Sequence, residues 1–484
     1  MYELIFQVWP YITALVTLLM MVGTAGHAIL HKEDTRAAVG WVGVIWLAPL
    51  IGSIVYVLLG INRISRRAVI LRGTEPPFYT SQSANFACSR QDLLDTLPAS
   101  KDHVAAIQSL VGKLTSRPLV HGNRLTPLQN GDAAYPEMLA AIEGAQESIN
   151  LMTFILDNDA TGRKFGEAMW RAMRRGVEVR VLIDAIGARY SFPSSVRFLR
   201  KWGIPVAVFM PSFVPTWAPF MNLRSHKKIL VVDGRLGFTG GMNIRGNNLV
   251  AQNPRHPVKD LHFRVEGPVV SELQEVFVED WTYTTGEKLE GSPWFPNLDS
   301  KGVALARGIT DGPDEDIDKL PLTLMGALST AEESVRIVTP YFLPDHALIN
   351  TINVTAMRGV SIDIVLPEKN NIRMVQWACN PHLELILGAG SRVWFTPPPF
   401  DHTKLMIVDD TWTLLGSANW DPRSLRLNFE FNVECYDTVL AQTLNQHIND
   451  KLCDAREVTK EELTNRPLPL KLRDGVARLF TPYL

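Results

Sequence analysis

Two stretches decide how this chain folds: HKKILVVD, His226 to Asp233, and HTKLMIVD, His402 to Asp409. Each reads His-x-Lys-x4-Asp, and each is a short apolar run ending at a turn signal, Asp233-Gly234 or Asp409-Asp410. Apolar residues follow both turns, so each motif is expected to form one arm of a β-hairpin. In a strand alternate side chains share a face, which sets His226 beside Lys228 and His402 beside Lys404. Asp233 and Asp409 complete the candidate catalytic motifs, but they lie an odd number of residues from their histidines and face the other way, as structural carboxylates would. If the turns have two residues, Val232 faces Arg235, and counting outward puts Gly241 opposite His226 and Ser417 opposite His402. A small residue then leaves room across from each histidine, while the amides of Asn243 and Asn419, from GGMN and GSAN, arrive nearby.

The duplication extends beyond the motifs. AQESINLMTFIL (Ala145 to Leu156) matches AEESVRIVTPYFL (Ala331 to Leu343), and RRGVEVRVLID (Arg174 to Asp184) matches MRGVSIDIVLP (Met357 to Pro367). WGIPVAVFMP (Trp202 to Pro211) then stands beside GSRVWFTPP (Gly390 to Pro398), before the two His-x-Lys segments arrive in the same order. Each half alternates helical patterns with short β-branched runs, which reads as βαβ units and a mainly parallel sheet. With the hairpins added, the expected fold class is α/β: two pseudo-twofold halves, 121–304 and 305–460, with mixed sheets flanked by helices. A connector, 63–120, contains one amphipathic helical pattern from Lys101 to Leu114, and an amphipathic tail covers 461–484.

The amino terminus differs in kind. LIFQVWPYITALVTLLMMV (Leu4 to Val22) and AAVGWVGVIWLAPLIGSIVYVLLGI (Ala37 to Ile61) are each long enough to cross about 30 Å of hydrocarbon as a helix. Glu3 stands where a signal peptide would be basic, so 1–62 reads as a retained transmembrane hairpin, with Trp9, Tyr11, Trp41 and Tyr56 suited to its interfaces. Lys32 and Arg36 in the intervening loop are offset by Glu33 and Asp34, whereas Arg63, Arg66, Arg67 and Arg72 follow the second run. That asymmetry places the remainder of the chain in the cytoplasm.

Over 484 residues the formal charge is -2, which argues against a nucleic-acid partner, so any phosphate recognition must be local. Cys88, Cys379, Cys435 and Cys453 have neither zinc-site nor disulfide spacing. Across a pseudo-twofold axis the duplicated motif brings together two imidazoles, two ammonium groups and two amides. Lysine and asparagine suit the oxygens of a phosphoryl group. One imidazole can attack phosphorus while the other protonates the leaving alcohol and then deprotonates the incoming one, with no metal and no cofactor required.

These residues resemble the phospholipase D superfamily, whose signature is a duplicated His-x-Lys-x4-Asp followed by Gly-Ser-x-Asn. Within it the chain is similar to the bacterial cardiolipin synthases of two-helix type, on the apolar pattern ahead of Arg63 and on FTGGMNI, HFRVEGP, TPYFLPD and SLRLNFEFN. The resemblance implies a phosphohistidine intermediate and transfer of a phosphatidyl group from one phosphatidylglycerol to another in the bacterial inner membrane. It also implies that His226 is the nucleophile and His402 the general acid and base, with an acid from the opposite half orienting each: Glu430 for His226 and Asp260 for His402. The sequence departs from the signature at Gly240-Gly241, where a serine is missing, and at Asn371, where relatives are expected to carry an acid.

Two aromatic, proline-rich loops precede the motifs, FVPTWAPFM (Phe213 to Met221) and FTPPPF (Phe395 to Phe400), and with the tail they are expected to touch the headgroup region. The same residue set would also serve a phospholipase D hydrolase or a phosphatidylserine synthase. A nuclease fits the charge and the hairpin poorly, and a non-catalytic scaffold would not need both His/Lys pairs.

Overall fold

The computed structural model describes residues 2–32, 35–60, 85–211, 223–313 and 316–481. The chain divides into two compact units, 1–70 and 71–484. In the first, helix Tyr2–His31 contains a run, Val8–His31, whose length and mean hydropathy of 1.8 suffice to cross a membrane. The second apolar run is not the single long helix expected. It forms Thr35–Leu47, then Pro49–Val55 and a π turn Tyr56–Gly60. Proline explains the break, because Pro49 has no N–H and its ring drives Ala48 out of the helical region to φ -137°.

The two runs pack through polar contacts as well as apolar ones: the Thr24 hydroxyl donates to Ser53 Oγ (3.0 Å), and His27 Nδ1 lies 2.8 Å from the Tyr56 hydroxyl. Tyr56 also meets Trp41 edge-on at 5.3 Å and is fully buried, so it is a packing residue rather than the interfacial anchor expected; Trp9 and Tyr11 are exposed. The basic residues Arg63, Arg66, Arg67 and Arg72, and Glu33 and Asp34, lie outside the described residues.

In the second unit the repeat becomes a repeat of strands. The first half runs Val206–Phe209, Glu178–Asp184, Ser148–Thr153, Ile229–Val232, Leu236–Gly240, Leu261–Glu266, Val120–Gln129 across its sheet. The second half runs Arg392–Thr396, Ser361–Pro367, Ser334–Val338, Leu405–Val408, Trp412–Gly416, Asn428–Tyr436, Ala304–Asp311, with Arg456–Val458 added at the edge. Position for position the two series agree. They are joined by the antiparallel pairing of Val120–Gln129 with Ala304–Asp311, which fuses them into one large mixed sheet.

The sheet is less parallel than the βαβ reading implied. Only three strands run parallel in each half, Val206–Phe209, Glu178–Asp184 and Ser148–Thr153 in the first and Arg392–Thr396, Ser361–Pro367 and Ser334–Val338 in the second. The motif hairpins, the strands between them and the join, and the edge strand Arg456–Val458 are antiparallel. The cause is the hairpin itself, since a tight turn can only connect antiparallel neighbours.

The described part of the connector belongs to the second half's core. Its helix begins at Ala105, after a 3-10 turn Ala99–Val104, and Leu93, Leu97, Val104, Ile107 and Val111 pack with Leu324, Leu328, Val335 and Trp412. The tail also docks: helix Leu468–Leu479 buries Asp474, which accepts from Asn380 Nδ2 at 2.9 Å and pairs with Arg466. Leu468, Leu472, Val476 and Leu479 remain exposed along it.

Candidate active site

Two short parallel ladders set the histidines in place, and both cross between the halves. Arg224–Ser225, directly before the first motif, pairs with Asn428–Phe429 of the second half in the register Asn428↔Arg224 and Phe429↔Ser225. His226 N–H then donates to Phe429 O at 2.9 Å, which brings His226 level with Glu430. Phe400–Asp401, directly before the second motif, pairs likewise with Val258–Lys259, and His402 N–H donates to Lys259 O at 2.8 Å, level with Asp260.

Each imidazole is thereby held by a carboxylate from the opposite half. His226 Nδ1 lies 3.1 Å from Glu430 and 3.0 Å from Ser417 O, and His402 Nδ1 lies 2.8 Å from Asp260 Oδ2. A carboxylate on Nδ1 keeps the proton there and leaves the Nε2 lone pair for chemistry. The two rings stand 6.5 Å apart, centroid to centroid, at 80°. Both sit in largely water-free surroundings.

The small residues serve the acids rather than standing across from their own histidines. The Ser417 hydroxyl donates to Glu430 Oε2 and accepts from Phe431 N–H. At Gly241 a Cβ would come within 2.5 Å of Asp260 Oδ1, so a serine there would displace the carboxylate. The departure from Gly-Ser is thus a matched change: serine with glutamate in one half, glycine with aspartate in the other.

The asparagines are not equivalent. Asn243 Oδ1 accepts from Ile155 N–H (3.0 Å), and Tyr135 fixes the adjoining backbone by donating to Asn243 O (2.7 Å). Asn419 instead donates its amide to Ser424 Oγ (3.1 Å).

The hairpin register differs by one residue from the two-residue count. Val232 faces Leu236 and Val408 faces Trp412, because three residues, Asp233 to Arg235 and Asp409 to Thr411, make each connection. Asp233, Asp409 and Asp410 adopt positive φ there (53°, 50° and 54°), which short polar side chains tolerate. The strands also begin only at Ile229 and Leu405, so His226 and Lys228, like His402 and Lys404, occupy an extended lead-in rather than the strand itself.

Asp233 and Asp409, grouped with the catalytic motif on sequence, have their carboxylates committed to backbone at the far end of these strands. Asp233 accepts from Gln146, Glu147 and Ser148 N–H, and Asp409 from Glu332, Glu333 and Ser334 N–H and from His103 Nε2 at 2.6 Å. Despite burial, those donors hold the Asp409 carboxyl below its usual range. Asp409→Ala strands four donors and is expected to cost roughly 2–4 kcal/mol. The check is the midpoint of denaturant-induced inactivation, and an unchanged midpoint contradicts this role.

Electrostatically the site awaits an anion. Lys228 and Lys404 are buried, and each donates to the backbone carbonyl of its own motif's histidine at 2.5 Å. Burial lowers their pKa values, to about 7 for Lys228, helped by the charge of Lys404, and to about 8 for Lys404. Burial likewise lowers His226, and lowers His402 to about 4, with both lysines adding to the effect on each ring. Glu430 stays below its usual range in spite of burial because His226 and Lys228 face it.

A phosphodiester placed here favours the protonated lysines and imidazoles, so the bound state holds more protons than the free one. Binding of a non-reactive phosphodiester lipid is therefore expected to take up protons between pH 7 and 9 and to weaken as pH rises. Titration calorimetry in buffers of different ionisation enthalpy measures this, and binding without proton uptake contradicts it.

Several aromatic residues around the histidines are not among the candidate site residues read from the sequence. Phe154 stands 5.2 Å from the His226 ring and 5.6 Å from Lys228 Nζ. Tyr341 stands 6.3 Å from the His402 ring and donates to Asn371 Oδ1 at 2.8 Å, which gives the unexpected asparagine a partner. Phe400, expected at the membrane rim, lies 6.0 Å from His402 and lines the site, while Pro397 and Pro398 are exposed. The companion loop, Phe213 to Met221, lies outside the described residues.

A family model described as "Cardiolipin synthase, PLD-like domain" matches residues 138–281 and 324–452, one segment in each half. The chain belongs to that cardiolipin synthase family. Among curated family members, cardiolipin synthase 2 of Staphylococcus epidermidis is 30% identical over 464 residues, covering 94% of each chain. The major cardiolipin synthase of Bacillus subtilis strain 168 is 29% identical over 466 residues, covering 94% of this chain and 95% of its own. Among solved structures, the phosphatidylserine synthase of Haemophilus influenzae Rd KW20 superposes with a TM-score of 0.61 at 15% identity, over 79% of this chain and all of the other, a likeness of fold.

Proposed function

We propose that this protein is a membrane-anchored cardiolipin synthase that transfers a phosphatidyl group from one phosphatidylglycerol to another. The observation that carries the chemistry is the facing pair of imidazoles, 6.5 Å apart, each tied at Nδ1 by an acid of the other half. In the first step His226 Nε2 attacks phosphorus, a P–N bond forms, the P–O bond to glycerol breaks, and protonated His402 gives its proton to the departing oxygen. In the second, His402 takes the proton from a hydroxyl of the acceptor lipid, the new P–O bond forms and the P–N bond breaks. Lys228 and Lys404 neutralise the phosphoryl oxygens throughout, which is where most of the barrier reduction is expected.

His402 begins with a lowered pKa, so its proton for the first step is supplied as the anionic donor binds. The choice of His226 as nucleophile follows the family resemblance.

The location follows from the amino-terminal unit. Helix Tyr2–His31 is apolar and long enough to span, which supports membrane association. The apolar length of the run after Thr35 supports a second crossing, and the arginines after residue 61 support a cytoplasmic catalytic unit.

The test is to incubate the purified protein in mixed micelles with labelled phosphatidylglycerol. Cardiolipin and free glycerol in equal amounts support the reading. Phosphatidic acid as sole lipid product overturns it in favour of hydrolysis.

A further inference from the structure

Among the described residues, two arginines near the histidines, Arg224 and Arg423, form no ion pair, although Asp184 and Asp421 act on them from a distance. Arg224 opens the short strand that leads into His226 and is level with Asn428, while Arg423 lies just upstream of Asn428, on helix Pro422–Arg426. The topology therefore sets both guanidinium groups at the same end of the site. They are close enough that the charge of Arg224 acts on Arg423, whose pKa is lowered to about 10 chiefly by burial. The Nε atom of each is buried without a hydrogen-bond partner. Among the described residues neither arginine has a carboxylate within ion-pair distance.

The acids nearby are committed elsewhere. Asp184 accepts from the N–H groups of Ile186, Gly187 and Ser225, and Asp421 from that of Ser424. Burial pushes both up to about 6, with Arg224 acting on Asp184 and Arg423 on Asp421 in the opposite direction without a direct ion pair. Two half-buried guanidinium groups, each with a buried unsatisfied Nε and no directly paired carboxylate, are costly to maintain unless a ligand supplies the missing partner. Their planar forks match phosphate oxygens better than a point charge would.

This pair is also close to the chemistry. Arg423 senses the Tyr190 hydroxyl, the Tyr190 ring lies 6.0 Å from Phe154, and Phe154 lies 5.2 Å from the His226 ring. The donor's phosphorus already has two lysines and two imidazoles. The acceptor in the proposed reaction brings a second phosphodiester, separated from its reacting hydroxyl by one glycerol bridge. We propose that Arg224 and Arg423 bind the phosphodiester of the acceptor lipid and so select a phospholipid, rather than water or a simple alcohol, for the second step. This assignment rests on the transferase reading above.

The experiment compares two reactions of one full-length protein in phosphatidylglycerol micelles. Cardiolipin formation needs an acceptor phosphate, whereas exchange of labelled glycerol into phosphatidylglycerol uses the same donor and intermediate but an acceptor without one. In the Arg224→Gln/Arg423→Gln protein, cardiolipin formation is expected to fall by roughly 10²-fold, the effect of removing buried charge partners of a ligand. Glycerol exchange should stay close to wild type, which also shows that the variant folds. Equal loss of both reactions, or loss of neither, overturns the acceptor site. Exchange without any cardiolipin from the wild-type protein would instead sink the transferase reading and this one with it.

Discussion

His226→Ala is expected to eliminate both cardiolipin formation and glycerol exchange, by roughly 10⁴- to 10⁶-fold, because in the proposed mechanism His226 Nε2 is the atom that carries the phosphatidyl moiety. The loss should be confined to the chemical step. His226 contributes little to the core, and its main-chain N–H can still donate to Phe429 O, so the cross-half ladder that positions Lys228 and Glu430 remains. Donor binding is therefore expected to persist, read as retained affinity for a phosphodiester lipid. Substantial exchange by His226→Ala would transfer the nucleophile's role to His402.

The second large effect distinguishes the roles of the two rings. His402→Asn removes the proton donor for glycerol and the base for the incoming hydroxyl, and should cost roughly 10²- to 10⁴-fold with phosphatidylglycerol. With a phosphatidyl ester of nitrophenol, whose leaving group needs no proton, the same variant should release one equivalent of nitrophenol per enzyme in a burst and then stall. The intermediate forms but no base activates its acceptor. A variant that gives no burst contradicts the assignment, as does one that turns over nitrophenyl ester at the wild-type rate.

Much of this arrangement is legible in the sequence because it is written twice. The matching segments around residues 145 and 331 and around 174 and 357 occupy corresponding strands of the two halves, and the apolar runs of the motifs form hairpin arms. The residue count across the turns is where pattern reading fell short. Whether Asp233-Gly234 and Asp409-Asp410 close a two- or three-residue connection depends on one residue whose pairing leaves no mark on hydrophobic periodicity.

Less legible still is how the histidines reach each other. Arg224–Ser225 and Phe400–Asp401 are too short to show a strand pattern, yet they carry each motif across to an acid 204 or 142 residues away. Only the family likeness pointed to Glu430 and Asp260. The break at Pro49 was visible as a proline, but hydropathy alone favours a continuous span there.

The site's near symmetry hides a chemical difference between its halves. Glu430 is held by Ser417 and by Asn428 Nδ2 at 3.1 Å, whereas Asp260 lies against the bare backbone of Gly241 and accepts from Leu261 N–H at 2.8 Å. Two rings with differently supported acids are suited to different tasks, as a double displacement requires.

The most direct measurement is rapid acid-free quenching of wild-type protein with phosphatidylglycerol labelled in its diacylglycerol part, followed by peptide mapping of the bound label. The proposed mechanism predicts a phosphatidyl group on His226, labile to acid, appearing before cardiolipin and discharged when fresh phosphatidylglycerol is added. Cardiolipin produced at full rate with no label ever attached to a histidine would contradict it.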